Sequence, residues 1–388
     1  MGIVSRFEFA TAARIIFGAG TLAEVPGLAA QLGKRALVVT GHSTDRAQAL
    51  LDGLAAEGMV ISTYPAGQEP TIEMIEQGTR LAQEAGCDVV LGFGGGSAID
   101  TGKAAAALAV NPGQPLDYLE VIGGGQSLAN PPLPYVAIPT TAGTGAEVTR
   151  NAVLRSPEHR VKVSLRGPLM LPRLAVVDPE LTYDLPPDIT AATGLDALAQ
   201  VIEPFVSSQA NPISDSVCRE GMRRAGRSLR QAFERGDDPE ARQDMALASL
   251  CGGLALANAK LGAVHGLAGP LGGMVDAPHG AVCGRLLPYV MEANVRALRE
   301  RMPQSEGVCR YSEVARLLTG DGEASAEDGV AWVRALCAEL AVPPLGSYGV
   351  TEEDLPLLIE KASASSSMKG NPLALEREEL QHVLAAAL

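Results

Sequence analysis

The chain has 388 residues, 46% hydrophobic and 20% charged, with 31 Lys+Arg against 45 Asp+Glu and a formal net charge of −14. That is the profile of a soluble globular protein too long for one core, since single cores stop growing at roughly 250–300 residues, so two domains are expected. The acidic balance offers no basic stripe to neutralise phosphates, which argues against nucleic acid as a partner.

The N-terminal stretch MGIVSRFEFATAARIIFG lacks the apolar segment of a secretory leader, and Arg6 stands where an acylation signal needs Ser or Thr. Charge-free runs such as 245–259 fall short of the roughly 20 residues that span a bilayer. The six cysteines, at 87, 218, 251, 283, 309 and 337, form no CxxC pair and read as reduced core thiols. A cytoplasmic protein with no membrane attachment is expected.

The first half of the chain alternates short β-branched runs with helix-period segments. Strands are expected at 36–40, 60–64, 88–93, 135–140 and 174–178. Helices are expected from about Ser43, after Pro70 up to Gly86, and over 97–110. Such a rhythm builds a parallel sheet with helical crossovers, an α/β Rossmann-like domain. After Pro187 the β-branched runs cease and the chain reads as long helices, so an α/β domain over 1–186 is followed by an all-α domain over 187–388.

Within the first domain, LGFGGGSAID at 91–100 leaves a strand and enters a helix. Glycines there allow close backbone approach while the helix N-terminus presents unpaired N–H groups, so Gly94, Gly95, Gly96 and Ser97 are candidate pyrophosphate binders. A glycine turn can equally serve chain reversal, and this one does not match GxGxxG. A second loop, PTTAGTGAEVT at 139–149, is dense in hydroxyls and follows another strand. Two such loops at successive strand ends suit a dinucleotide lying along the carboxyl edge of a parallel sheet.

In the helical half, two of the five histidines, His265 and His279, fall in one segment, GAVHGLAGPLGGMVDAPHG at 262–280. Asp196 lies at the start of an apolar helix with Gln200 at i+4 on the same face. Imidazoles and a carboxylate can bind a divalent metal, although each residue alone also fits an ordinary structural role.

Taken in order, GGGSAID at 94–100, PTTAGTGAEVT at 139–149, VKVSLRGPLMLPRLAVVDPELT at 161–182, TGLDAL at 193–198, the 265–279 segment and SSSMKGNP at 365–372 resemble the iron-containing, group III alcohol dehydrogenase family with its dehydroquinate-synthase-like fold. The resemblance spans nearly the whole chain. It implies an NAD(P)-dependent alcohol dehydrogenase or aldehyde and ketone reductase, with NAD(P)(H) and a metal-bound substrate meeting in an interdomain cleft, and a homodimer or higher oligomer. It also implies that Asp100, Thr140, Thr141, Thr144 and Lys162 join the glycine loop in holding the cofactor.

The chain departs from the family's usual metal ligands, one Asp and three His. Asp196, His265 and His279 match, but Gln200 stands at the remaining His position, and Gly269 replaces a further His often found four residues after the first. Three protein ligands and an open position suffice for catalytic zinc, so zinc or iron on Asp196, His265 and His279 is expected, with Gln200 orienting water or substrate. No catalytic acid is assigned. Where NAD-preferring relatives often place an Asp on the ribose, this chain has Gly41, followed by His42, Ser43 and Arg46, which opens the site to NADP(H). A metal-independent enzyme resembling maleylacetate reductase, a lyase of the dehydroquinate-synthase kind and a non-catalytic nucleotide binder are the alternatives.

Overall fold

The computed structural model describes residues 6–67 and 69–388. Met1 to Ser5, on which part of the expectation about a leader and an acylation signal rests, and Gln68 lie outside the described residues. Two compact units are formed. One is residues 11–141 with 145–183; the other is 184–388 with residues 142–144 and the N-terminal segment that ends at Ala10.

The first unit carries strands β1 (Ile15–Phe17), β2 (Arg35–Thr40), β3 (Val60–Pro65), β4 (Val89–Gly94), β5 (Tyr135–Pro139), β6 (Asn151–Ser156), β7 (Val161–Arg166) and β8 (Leu174–Val177). Its helices are α1 (Val25–Ala29), α2 (Gln48–Ala56), α3 (Ile72–Glu84), α4 (Gly96–Leu108) and α5 (Pro115–Tyr118). Six strands form a parallel sheet in the order β1-β8-β5-β4-β2-β3. The inner strands β4, β5 and β8 are buried along their whole length, as expected when helices cover both faces.

Two elements differ from the sequence expectation. β1 is a three-residue edge strand with no periodic signature. β6 and β7 make an antiparallel hairpin, with Ala152, Leu154, Val163 and Leu165 facing inward between polar neighbours such as Arg155 and Lys162. Its apolar face joins Ala104, Ala107 and Leu108 in one core cluster. Covered by sheet and hairpin, the alanine-rich α4 is buried from Ala98 to Leu108.

Close packing here depends on two glycines. Tyr135 is wedged between β4 and α4, where a Cβ on Gly92 would fall 2.1 Å from its hydroxyl and one on Gly102 would fall 2.9 Å from its ring. The hydroxyl donates to the Ile99 carbonyl at 2.7 Å.

The second unit is helical: α6 (Pro187–Val206), α7 (Pro212–Glu234), α8 (Pro239–Ala259), α9 (Ala263–Met274), α10 (His279–Arg301), α11 (Gly307–Thr319), α12 (Ala326–Glu339), α13 (Leu355–Ala364) and α14 (Arg377–Ala387). Proline at the first helical position and the acidic Asp188 in the first turn start α6, while Asn211 and Asp238 cap α7 and α8 through their side chains. α6 is buried from Leu195 to Val206, enclosed by the other helices in a core of Leu, Ala and Val. Among the described residues, no single helix is long and apolar enough to cross a membrane. All six cysteines are free; Cys309 is exposed and Cys87 half-buried, so only the other four are core thiols.

Candidate active site

On α6, Asp196, Gln200 and Glu203 lie at i, i+4 and i+7, one polar stripe in the otherwise apolar stretch 194–206. His265 sits in the first turn of α9, and α10 begins with His279 and carries Cys283 one turn later. The fold brings Asp196, His265, His279 and Cys283 together, with one donor atom of each lying within 4.8 Å of the others. His265 Nε2 is 3.2 Å from Asp196 Oδ1, and His279 Nε2 is 4.0 Å from the same oxygen. Cys283 Sγ lies 3.8 Å from His265 Nε2 and 3.6 Å from His279 Nε2. Asp196 and His265 are buried, whereas the His279 side chain is 32% exposed and forms the open side.

Glu203 sits behind this cluster. Its Oε2 holds His265 Nδ1 at 2.5 Å and its Oε1 accepts the Val264 N–H at 2.7 Å, so one carboxylate fixes the ring and caps α9. Asn371, from the SSSMKGNP segment, accepts the adjacent Ala263 N–H and is braced by Asn294. With Nδ1 engaged by Glu203, the Nε2 of His265 is the nitrogen directed at Asp196 and Cys283.

Electrostatics follow the geometry. Burial opposes ionisation of Asp196, but the hydrogen bond from His265, the charges of His279 and His265 and the Gln200 amide hold its carboxyl below the usual range. Burial also opposes a charge on His265, and Cys283, Glu203 and Asp196 outweigh it, raising its pKa well above the ordinary value. The Cys283 thiol is pushed up to about 11 by burial. Two imidazoles, a carboxylate and a thiol of this kind are the donor types that bind a divalent transition metal, so the residues present fit one.

Gln200 is 2% exposed; its Nε2 donates to the Gly143 carbonyl at 3.0 Å, which leaves Oε1 buried without a partner. Gly269 lies one turn beyond His265, and a Cβ there would meet nothing within 4 Å. The sequence pattern missed Cys283 and Glu203. The signals for them were the His-x-x-x-Cys spacing at the start of α10 and a carboxylate seven residues after Asp196.

In the α/β unit, a cavity of about 350 Å³ opens at the strand ends and is lined by Gly41, Ser43, Gly94, Gly95, Ser97, Thr140 and Thr141, together with His42, Arg46 and Gly67. The Thr140 N–H donates to the Gly94 carbonyl, and a Cβ on Gly94 would crowd Ala98 and the Gly41 nitrogen. No side chain caps the N-terminus of α4. Among the described residues no carboxylate lines the cavity, and the Arg46 guanidinium at its edge donates to the Leu181 carbonyl.

The other expected cofactor residues are not in this lining. Gly96 is the first residue of α4 and is not part of the lining. Asp100 is buried and accepts the Val153 N–H from the hairpin at 2.9 Å. Lys162 stands on β7, paired with Glu69. Thr144 groups with the helical unit.

Comparison with known proteins bears on both halves of the chain. Residues 12–179 match the family model described as iron-containing alcohol dehydrogenase, and residues 190–388 match the C-terminal model of the same family. Alcohol dehydrogenase 4 of Schizosaccharomyces pombe is 35% identical over 382 residues, covering 96% of this chain and 87% of that protein. The NAD-dependent methanol dehydrogenase of Bacillus methanolicus is 32% identical over 385 residues, covering 96% and 97%. The crystal structure of a 1,3-propanediol oxidoreductase superposes with a TM-score of 0.91 at 32% identity, covering 99% of this chain and all of that one.

Proposed function

The chain belongs to the iron-containing alcohol dehydrogenase family, whose members act on alcohols as oxidoreductases, and from that premise we propose an NAD(P)(H)-dependent, metal-assisted interconversion of small alcohols with aldehydes or ketones. The observation that carries the reading is the convergence of Asp196, His265 and His279 from three helices.

When bound, the divalent metal would polarise the substrate oxygen and the nicotinamide would exchange a hydride with the carbon bearing it. The protein's own contribution is to bind and orient. Glu203 holds His265 in the tautomer that turns Nε2 toward Asp196. The buried, unpartnered Oε1 of Gln200 accepts a hydrogen bond from the alcohol hydroxyl or from water. The uncapped N-terminus of α4 and the hydroxyls of Ser97, Thr140 and Thr141 hold the pyrophosphate, and Gly41 with Ser43 receives the adenosine ribose. Because Gly41 offers no carboxylate and His42 and Arg46 stand beside it, both NADH and NADPH are accepted. Gly269 supplies no side chain for proton transfer, so the proton on the substrate oxygen comes from water.

The test is oxidation of NADH and NADPH against a panel of small aldehydes and ketones, before and after chelation and with metals added back. Activity that disappears on chelation and returns with one ion is expected. Turnover indifferent to complete metal removal would overturn the metal assignment, and a hundredfold preference for NADH would overturn dual cofactor use.

A further inference from the structure

Resting on that reading, we propose that Cys283 is a metal ligand, that it takes the place which Gln200 leaves empty, and that its thiolate makes the centre selective for zinc over iron. The ligand has moved from α6 to the second turn of α10. Gln200, at the usual position, offers only a neutral amide, and its nitrogen is engaged by the Gly143 carbonyl. Cys283 is fully buried and free, and its sulfur lies against the two imidazoles.

The spacing of the donors supports the assignment. With zinc–sulfur bonds of about 2.3 Å and zinc–nitrogen or zinc–oxygen bonds of about 2.0–2.1 Å, a tetrahedral centre has edges of roughly 3.5 Å between sulfur and nitrogen and roughly 3.3 Å between oxygen and nitrogen. The two sulfur–nitrogen separations here are 3.8 and 3.6 Å, and the two oxygen–nitrogen separations are 3.2 and 4.0 Å. Three of the four lie within a few tenths of an ångström of an edge, and the fourth involves His279, the open side of the cluster.

A thiolate, two imidazoles and one carboxylate form a softer donor set than one carboxylate with three imidazoles, and soft sulfur favours zinc over high-spin ferrous iron. Binding requires the Cys283 thiol to surrender its proton to solvent as the metal–sulfur bond forms, leaving both redox states unchanged.

The experiment begins with the wild-type enzyme, so that it does not depend on a variant folding. X-ray absorption of the zinc-loaded resting protein is expected to show one sulfur at about 2.3 Å beside three nitrogen or oxygen scatterers, the substrate oxygen joining as a fifth ligand during turnover. A shell without sulfur overturns the proposal. The cobalt-loaded enzyme is expected to show a strong near-ultraviolet thiolate-to-cobalt band that is lost in Cys283→Ser and Cys283→Ala and kept in Cys251→Ser and Cys309→Ser. Absence of the band from the wild type, or its persistence in Cys283→Ser, refutes the ligand. In anaerobic competition, the zinc preference over ferrous iron is expected to fall by more than about tenfold in Cys283→Ser; an unchanged ratio overturns the selectivity. Metal-dependent turnover without a sulfur signature would leave the functional reading standing and sink this one, whereas a protein that binds no metal at all would sink both.

Discussion

Glu203 stands one hydrogen bond behind the candidate metal donors, through His265. Its carboxylate is 5% exposed and meets both the His265 ring and the first turn of α9. Glu203→Ala is therefore expected to weaken metal affinity by about ten- to a hundredfold, measured by chelator competition. An affinity unchanged within error would separate this carboxylate from the metal. Gly41 acts by lacking a side chain: a Cβ there meets nothing within 4 Å, so Gly41→Asp fits sterically while placing a negative charge where the proposed function seats the ribose. The NADPH-to-NADH efficiency ratio should drop by at least about tenfold, equivalent to about 1.4 kcal/mol; a constant ratio would show that the adenosine ribose lies elsewhere. Glu147, 2% exposed in the hydroxyl-rich loop, has its carboxyl pushed by burial from an ordinary 4.5 up to about 7, against the pull of its own backbone hydrogen bond and of Lys103. The folded state binds this proton more tightly than the unfolded chain, so stability falls as pH rises between those two values. The penalty is absent below the lower value and complete above the upper one, at roughly 3 kcal/mol. Glu147→Gln should thus raise the urea-unfolding free energy by up to roughly that amount near pH 8 and change it little near pH 4.5. An equal difference at both would contradict the assignment.

At the scale of elements, the start of α9 is held from two directions, by Glu203 of α6 and by Asn371 of the C-terminal segment. Asn371→Ala would leave the Ala263 N–H without its partner and the Asn294 amide with only the Tyr311 hydroxyl, at a cost of about 1–3 kcal/mol in urea unfolding. A loss below a few tenths would mean that water replaces it. β2, β4, β5 and β8 announce themselves as continuous apolar runs because both faces are buried, and the helices of the second unit by their period. The hairpin β6–β7 does not, because Arg155, Lys162 and Ser164 alternate with its apolar residues and give each strand only three inward positions. Asp196, His265 and His279 were readable through ordered motifs. Cys283 was not, since a single cysteine among six scattered ones acquires meaning only when a helix starts at His279 and sets the two on one face. Glu203 looked like any carboxylate on a helix until α9 was packed against it. Asp100 and Lys162 entered through motif membership; in the folded chain Asp100 accepts from the Val153 N–H of the hairpin, and Lys162 of the hairpin pairs with Glu69.

For the molecule as a whole, the candidate metal donors and the glycine-loop cavity each belong to a single unit. An ion bound to the native donors and not to the unfolded chain adds stability by mass action, about 2.7 kcal/mol at a free concentration a hundredfold above its dissociation constant. Zinc should therefore raise the midpoint of thermal unfolding in a concentration-dependent way, and Cys283→Ser should blunt the increment. A midpoint insensitive to zinc would show that the four donors do not form a native binding site.

The sequence contains one tryptophan, Trp332, on α12 of the helical unit, with the Arg230 guanidinium 4.7 Å above its ring. Intrinsic emission excited at the indole edge is therefore a built-in reporter of the helical unit alone, silent about the α/β unit, whose aromatic residues are tyrosine and phenylalanine. Circular dichroism, by contrast, registers helices from both. Following one denaturation with both signals asks whether the chain unfolds as one cooperative body or as two, without any label being attached.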